Sequence, residues 1–226
     1  MIVSCEVTQP ALVSRIEPRW PIALVLIGVF ALLAVLPLRV RVFPIWVPYV
    51  VTTSVIVPMA ALSIANAKQR WLKIETLVTF VALCLAGFGI IEQLKRLMSE
   101  MLRHSGEVSG LQLLASSIAI WVINVLIFSL LYWRIDRGGP EARVNGIDTQ
   151  PDWIFPLEDA PKRALADWRP TFVDYLFVAF CTATAFSPAE AQPVTSRAKL
   201  LMMLESSVSL ITIVIVAARA INILGN

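Results

Sequence analysis

The residues of this chain that could do chemistry are few: Glu205, Asp174, Asn124, Thr182, Thr184, Ser187 and Glu190, each within or beside a long apolar run. A carboxylate inside such a run is costly in a bilayer and, where it occurs, marks an ion or proton path. Glu205 lies about one turn inside the last run; an interfacial position, or pairing with Lys199 or Arg197, is its alternative. Asp174 opens a short apolar segment, where an acidic side chain also favours a helix N-terminus. The hydroxyls of Thr182, Thr184 and Ser187 fall at spacings of two and three, on adjacent helix faces. They either line a path, bond back to their own helix, or join two helices. Glu190 would belong to a ring at a pore mouth only in an oligomer, and is otherwise a solvated loop residue. Asn124, in the middle of an apolar run, carries an amide of the kind that usually hydrogen-bonds between helices.

Other chemistries are poorly served. There is one histidine, His104, and the three cysteines, Cys5, Cys84 and Cys181, have no metal or redox spacing. Phosphate-binding loops, zinc-protease helices and serine nucleophile elbows are missing from the sequence. We therefore expect no catalytic, metal or cofactor residues and no enzyme. Arg134, Asp136 and Arg137 bracket the end of the fourth apolar run, either as a salt-bridged cap or as a site for an anion or headgroup. The net charge is only +3, and the 19 Lys and Arg sit in loops or at segment ends. They read as topology signals, with no nucleic-acid partner.

The elements that must carry these residues follow from composition. Of 226 residues, 58% are hydrophobic and 15% charged, with a mean hydropathy of +0.75. A soluble domain carries about 25% charged residues, so the partner of this surface is a lipid bilayer. Runs free of charge cover 20–38, 42–67, 76–91 and 108–133; a shorter apolar block lies at 175–189, and 200–224 is long enough despite Glu205 and Arg219. A hydrocarbon core takes about 20 helical residues. The expected fold is all-α, a polytopic transmembrane helical bundle forming one integral membrane domain over 1–226. Its five to six segments are about 20–38, 45–65, 72–94, 108–133, 171–187 (short or re-entrant) and 198–224. The first run has no convincing cleavage site and reads as a retained helix. Pro58 kinks the second. An apolar stripe at 91, 94, 97/98 and 101/102 continues the third helix beyond the bilayer, with Glu92 and Arg96 as an i,i+4 pair. Residues 134–170 are a polar Gly/Pro-rich loop with a short helix over 157–168. Trp20, Trp46, Trp71, Trp133, Trp153 and Trp168 mark segment ends, as in an interfacial aromatic belt. Trp121 is the exception, packed or lipid-facing.

The last 56 residues, 171–226, read as a hairpin. Thr182-Ala183-Thr184-Ala185 followed by Pro193-Val194-Thr195 and a helix starting near Arg197 resembles the pore module of two-helix potassium channels, in which a short pore helix ends in Thr-x-Thr-Thr-Val-Gly-Tyr-Gly-Asp. Phe186-Ser187-Pro188-Ala189-Glu190 stands in place of the filter. Both glycines are replaced, so stacked carbonyls at glycine backbone angles, and with them potassium selectivity, are not expected. Over most of its length the chain is similar to an uncharacterised family of bacterial multi-pass inner-membrane proteins. The similarity rests on Tyr132-Trp133-Arg134-Ile135-Asp136-Arg137-Gly138-Gly139-Pro140, Pro151-Asp152-Trp153-Ile154-Phe155-Pro156 and Thr182-Ala183-Thr184-Ala185-Phe186-Ser187-Pro188. It implies an inner-membrane location and no particular activity.

Two topologies follow. With the C-terminus on the cytoplasmic side, six crossings place twelve Lys and Arg inside and seven outside. A re-entrant 171–187 places six inside and thirteen outside. The positive-inside rule favours six crossings. The expected function is a channel-like protein conducting ions or small solutes as a homo-oligomer, a tetramer if pore-like. The alternative is a non-conducting membrane scaffold or accessory subunit.

Overall fold

The computed structural model describes residues 20–35, 68–103, 110–144, 149–156, 168–185 and 191–224, with isolated positions between 44 and 57. The helices are α1 (Trp20–Val35), α2 (Lys68–Arg103), α3 (Gly110–Ile135), α4 (Phe172–Thr184) and α5 (Ser196–Leu224). A five-residue helical turn, Pro140–Val144, follows α3, and two short strands, β1 (Trp153–Ile154) and β2 (Gln192–Pro193), pair antiparallel. Three helices hold a stretch long and apolar enough to cross a membrane: Thr76–Ser99, Leu114–Gly138 and Ser196–Ala218. Helices α1 and α4 are apolar but shorter. The second expected segment, 45–65, lies outside the described residues except for isolated positions, as does the short helix expected over 157–168.

α2 joins the third expected segment and its amphipathic extension into one helix of 36 residues, about 54 Å at 1.5 Å per residue. Of the predicted stripe, Leu94 and Leu97 are buried, whereas Ile91 and Met98 are exposed and Ile90 takes the buried position instead. Glu92 pairs with Lys95 at 2.6 Å.

α3 is the centre of the molecule: α1, α2, α4 and α5 all pack on it. The sequence allows this because small side chains recur among its buried positions, Ser116, Ser117, Ala119 and Ser129, and small residues let helices approach in the absence of a hydrophobic drive between them. Ile120, Ile123, Ile127 and Leu130 fill the remaining space.

Side-chain contacts fix the helix directions. Arg134, near the end of α3, donates to Thr76 Oγ1 near the start of α2 at 2.9 Å, so α2 and α3 are antiparallel. Phe172 at the start of α4 packs edge-on against Trp133 near the end of α3, and the indole of Trp121, twelve residues earlier in α3, reaches the Ala183 carbonyl near the end of α4. α4 therefore also runs antiparallel to α3. α5 does the same: Arg197 Nη2 lies 3.5 Å from the Ile135 carbonyl, and Ser209 meets Asn124. Helices α4 and α5 thus start at one end of the bundle and run side by side in the same direction. Ser206 Oγ donates to the Thr182 carbonyl at 3.0 Å, and each of these residues is ten positions beyond its helix start.

This geometry differs from the arrangement that the charge count favours. Six crossings need α4 and α5 to run in opposite directions. Instead α4 advances about 20 Å over its 13 residues and stops at Ala185, which takes the left-handed conformation (φ 56°). By Gln192 the chain is back at the end from which α4 set out, paired with Ile154.

Candidate functional site

The two features that could carry function are the polar end of the bundle, where α4 and α5 begin, and a buried polar group between α3 and α5. The first is built on a backbone reversal. Arg137, Gly138 and Gly139 have φ of 53°, 75° and 97° in succession, which turns the chain back over the end of α3. Gly139 combines its φ with ψ 175°, a region open essentially to glycine alone. The turn leaves Asp136 fully buried. Its Oδ1 accepts the Asp152 N–H at 2.7 Å and, more weakly, the Trp153 N–H at 3.4 Å. Its Oδ2 accepts the Tyr175 hydroxyl at 2.5 Å, with Arg137 Nε at 3.5 Å.

Asp152 repeats the device one step on. It is fully buried; its Oδ1 accepts from Arg197 Nε at 2.6 Å and from Thr195 at 2.5 Å, and its Oδ2 accepts from Arg197 Nη2 at 2.5 Å. Arg143 lies across the faces of Trp133 and Tyr175 and donates to the Trp133 and Asp136 carbonyls. Two buried carboxylates thereby fasten the polar loop, the start of α4 and the start of α5 to the end of α3. The salt-bridged cap expected around Asp136 is present, and it is larger than the local sequence suggests because Asp152, Tyr175 and Arg197 come from 16 to 61 residues away. Trp153 and Phe155 are buried within it and Trp133 with them. These tryptophans mark the ends of segments as expected, but they pack inside the protein rather than facing headgroups as a belt.

The inner end of α4 meets a different requirement. A helix that stops within a bundle leaves its last carbonyls without intrahelical donors. Here Cys181 O receives Thr184 Oγ1 at 3.3 Å, Thr182 O receives Ser206 Oγ at 3.0 Å, and Ala183 O faces Trp121 Nε1 at 3.5 Å. Trp121, the one tryptophan away from a segment end, is a cap for α4.

Among the expected site residues, Thr182 and Thr184 do not point their hydroxyls into a path. Each bonds back to its own helix at 2.8 Å, to the Val178 and Phe180 carbonyls. Asp174 closes a capping box with Thr171, at 2.6 Å to the backbone N–H, which fixes the start of α4. Ser187 and Glu190 lie outside the described residues. Glu205 and Asn124 are brought together. Asn124 Nδ2 donates to Ser209 Oγ at 2.9 Å and to the Glu205 carbonyl at 3.3 Å, joining α3 to α5 as an interhelical bond of the expected kind.

Glu205 is deeper than one turn. It lies eight residues past Arg197, about 12 Å along the helix, and is 0% exposed. Neither Lys199 nor Arg197 is its partner. Its Oε2 accepts the Tyr132 hydroxyl at 2.5 Å, while Oε1, like Oδ1 of the fully buried Asn124, has no hydrogen-bond partner among the described residues. Tyr132 and Tyr175 carry no signal in the sequence, because a tyrosine in an apolar run gives no sign of the carboxylate it will face.

Comparison of the chain with family models, with curated proteins and with solved structures finds no match. Function has to be read from the geometry.

Proposed function

We propose that the chain is a multi-pass protein of the bacterial inner membrane that conducts ions or small solutes as a homo-oligomer, with α4 entering the membrane without crossing it. The observation that carries the reading is the common starting end of α4 and α5, with the carbonyls at the inner end of α4 supplied with donors from α3 and α5. Backbone that ends at membrane depth is tolerated only where protein covers it or where it borders a water-filled cavity, and broken helices of this kind form the sites of many transport proteins. The hydroxyls of Thr182 and Thr184 are turned back on α4, so they do not supply the lining of the path.

The distribution of basic residues then sets the orientation. From residue 68 onward, eleven Lys and Arg belong to the end where α2, α4 and α5 begin (within 68–73, 134–169 and 197–199), and four, Lys95, Arg96, Arg103 and Arg219, to the other. The conflict between charge and re-entry rests on a cytoplasmic C-terminus; removing that assumption removes the conflict. By the positive-inside rule the basic end faces the cytoplasm, α4 enters from that side, and Leu224 ends α5 outside.

The test is flux through liposomes containing purified protein, across several cations and anions, together with the mass of the protein–detergent complex. Flux above empty vesicles and a closed ring are expected; a stable monomer without flux refutes conduction. C-terminal fusions to a phosphatase active only outside the cytoplasm should be active, and inactivity there refutes the orientation. A non-conducting scaffold is favoured by one observation, the burial of Thr182 against α5 within a single chain; the same monomer result would support it.

A further inference from the structure

Among the acidic side chains described here, Glu205 alone is both fully buried and without a cationic partner. Asp136 has Arg137 and Asp152 has Arg197. An isolated carboxylate in a low-dielectric interior is far more costly than one hydrogen bond can offset. The two orphaned atoms of the cluster, Glu205 Oε1 and Asn124 Oδ1, are both acceptors, and both belong to side chains with no solvent exposure. Among the described residues, the cluster therefore lacks positive charge and has more acceptors than the donors of Tyr132 and Asn124 can satisfy.

We infer that Glu205, with Asn124, Ser209 and Tyr132 around it, is an intramembrane cation site whose occupant is a proton. A hard metal cation takes about six oxygen ligands. The side-chain oxygens of the cluster are five, Glu205 Oε1 and Oε2, Asn124 Oδ1, Ser209 Oγ and Tyr132 Oη, and two of them are already engaged in the Tyr132–Glu205 bond, which leaves too few for that class. A proton on Oε1 removes the charge and converts an orphaned acceptor into a donor, while Tyr132 continues to donate to Oε2. It comes from water and returns to water, so that nothing else is consumed.

The described residues of the neighbouring elements supply no competing charge. On α3 the titratable group facing the carboxyl is Tyr132. On α4, Asp174 is a cap, the Tyr175 hydroxyl is bonded to Asp136, and Cys181 is a buried thiol. On α5 itself Arg197 is held by Asp152, and Lys199 is exposed. On α2, Glu92 and Lys95 pair with each other. The rings of Tyr132 and Trp153 pack together at a tilt, and the indole donates to Met202 Sδ, on the bundle-end side of Glu205.

The site does not depend on conduction, and its test uses no flux. Wild-type protein in liposomes is treated with dicyclohexylcarbodiimide, an apolar reagent that adds to protonated carboxyls, and adducts are mapped by mass spectrometry. The adduct is expected on the peptide holding Glu205, absent in Glu205→Gln, and falling about ten-fold per pH unit above the midpoint. Infrared difference spectra of the wild type should show a protonated-carboxyl band that titrates over the same range. Labelling suppressed by sodium or lithium but not by choline at constant pH would show a metal occupant and overturn the proton assignment. The absence of both adduct and titrating band would overturn the site. Both decisive readouts come from the wild type, so a variant that fails to fold leaves the test intact.

Discussion

Asp136→Asn is the most direct probe of what fastens the C-terminal helices to the bundle. The carboxylate is fully buried and holds two short hydrogen bonds, from the Asp152 N–H at 2.7 Å and the Tyr175 hydroxyl at 2.5 Å. The third, at 3.4 Å from Trp153, is too long to add much. A hydrogen bond to a charged group contributes about 1.5–3 kcal/mol. The substituted amide keeps the shape and one acceptor for the Asp152 N–H, and its NH₂ can donate to Tyr175, but charge assistance and the Arg137 ion pair are lost. The expected cost is about 2–3 kcal/mol, rising to about 3–5 kcal/mol for Asp136→Ala, which leaves its partners unmatched in the interior. Unfolding by sodium dodecyl sulfate in mixed micelles, followed by tryptophan fluorescence, measures this through Trp133 and Trp153. A double-mutant cycle with Tyr175→Phe should give a coupling of about 1–3 kcal/mol. Lys95→Ala, which breaks an exposed pair, is the control and should cost no more than about 0.5 kcal/mol. A loss below about 0.5 kcal/mol for Asp136→Asn, or additivity in the cycle, would refute the role given to this carboxylate.

Three further outcomes are expected from the same assay. Tyr132→Phe removes the one donor to the Glu205 carboxyl among the described residues and should cost about 1–3 kcal/mol, with the loss abolished in a Glu205→Leu background. Trp121→Phe keeps an aromatic ring, though a smaller one, and withdraws the donor from the Ala183 carbonyl, at about 0.5–1.5 kcal/mol for the hydrogen bond; no change would mean that water or another group covers the end of α4. Gly139→Ala forces a side chain onto φ 97°, ψ 175° and should cost about 1–3 kcal/mol, whereas Ala142→Gly in the following turn should lose no more than about 1 kcal/mol.

The spans of α2, α3 and α5 are legible in the sequence because hydropathy and length act locally, and the stripe at 91–102 correctly extends α2. The direction of α4 is not. Thirteen apolar residues satisfy a short crossing and a re-entrant limb equally well, and the difference lies in contacts such as Ser206 with Thr182 that join residues 24 apart. The charge count points the other way only when the C-terminus is placed inside. Trp133 and Trp153 give the right boundaries for the wrong reason: the ends of the segments are marked by aromatic rings, but those rings surround Arg143 and Asp136 instead of lipid headgroups. For Asn124 the expected interhelical bond is the one found. For Thr182 and Thr184 hydroxyl spacing is silent between a path and a back-bond, since both use the same residues.

The stop of α4 at Ala185 also bears on how the chain is made. Thirteen residues do not reach across a bilayer, so α4 has no stable position in lipid as an independent segment. The groups that cover its inner end, Trp121 and Ser206, lie on helices synthesised before and after it. On the proposed re-entrant reading, α4 gains these partners only once α5 lies beside α3. The last quarter of the chain then comes into place as a unit, and a chain truncated before Ser206 would leave the Thr182 carbonyl without its donor from α5.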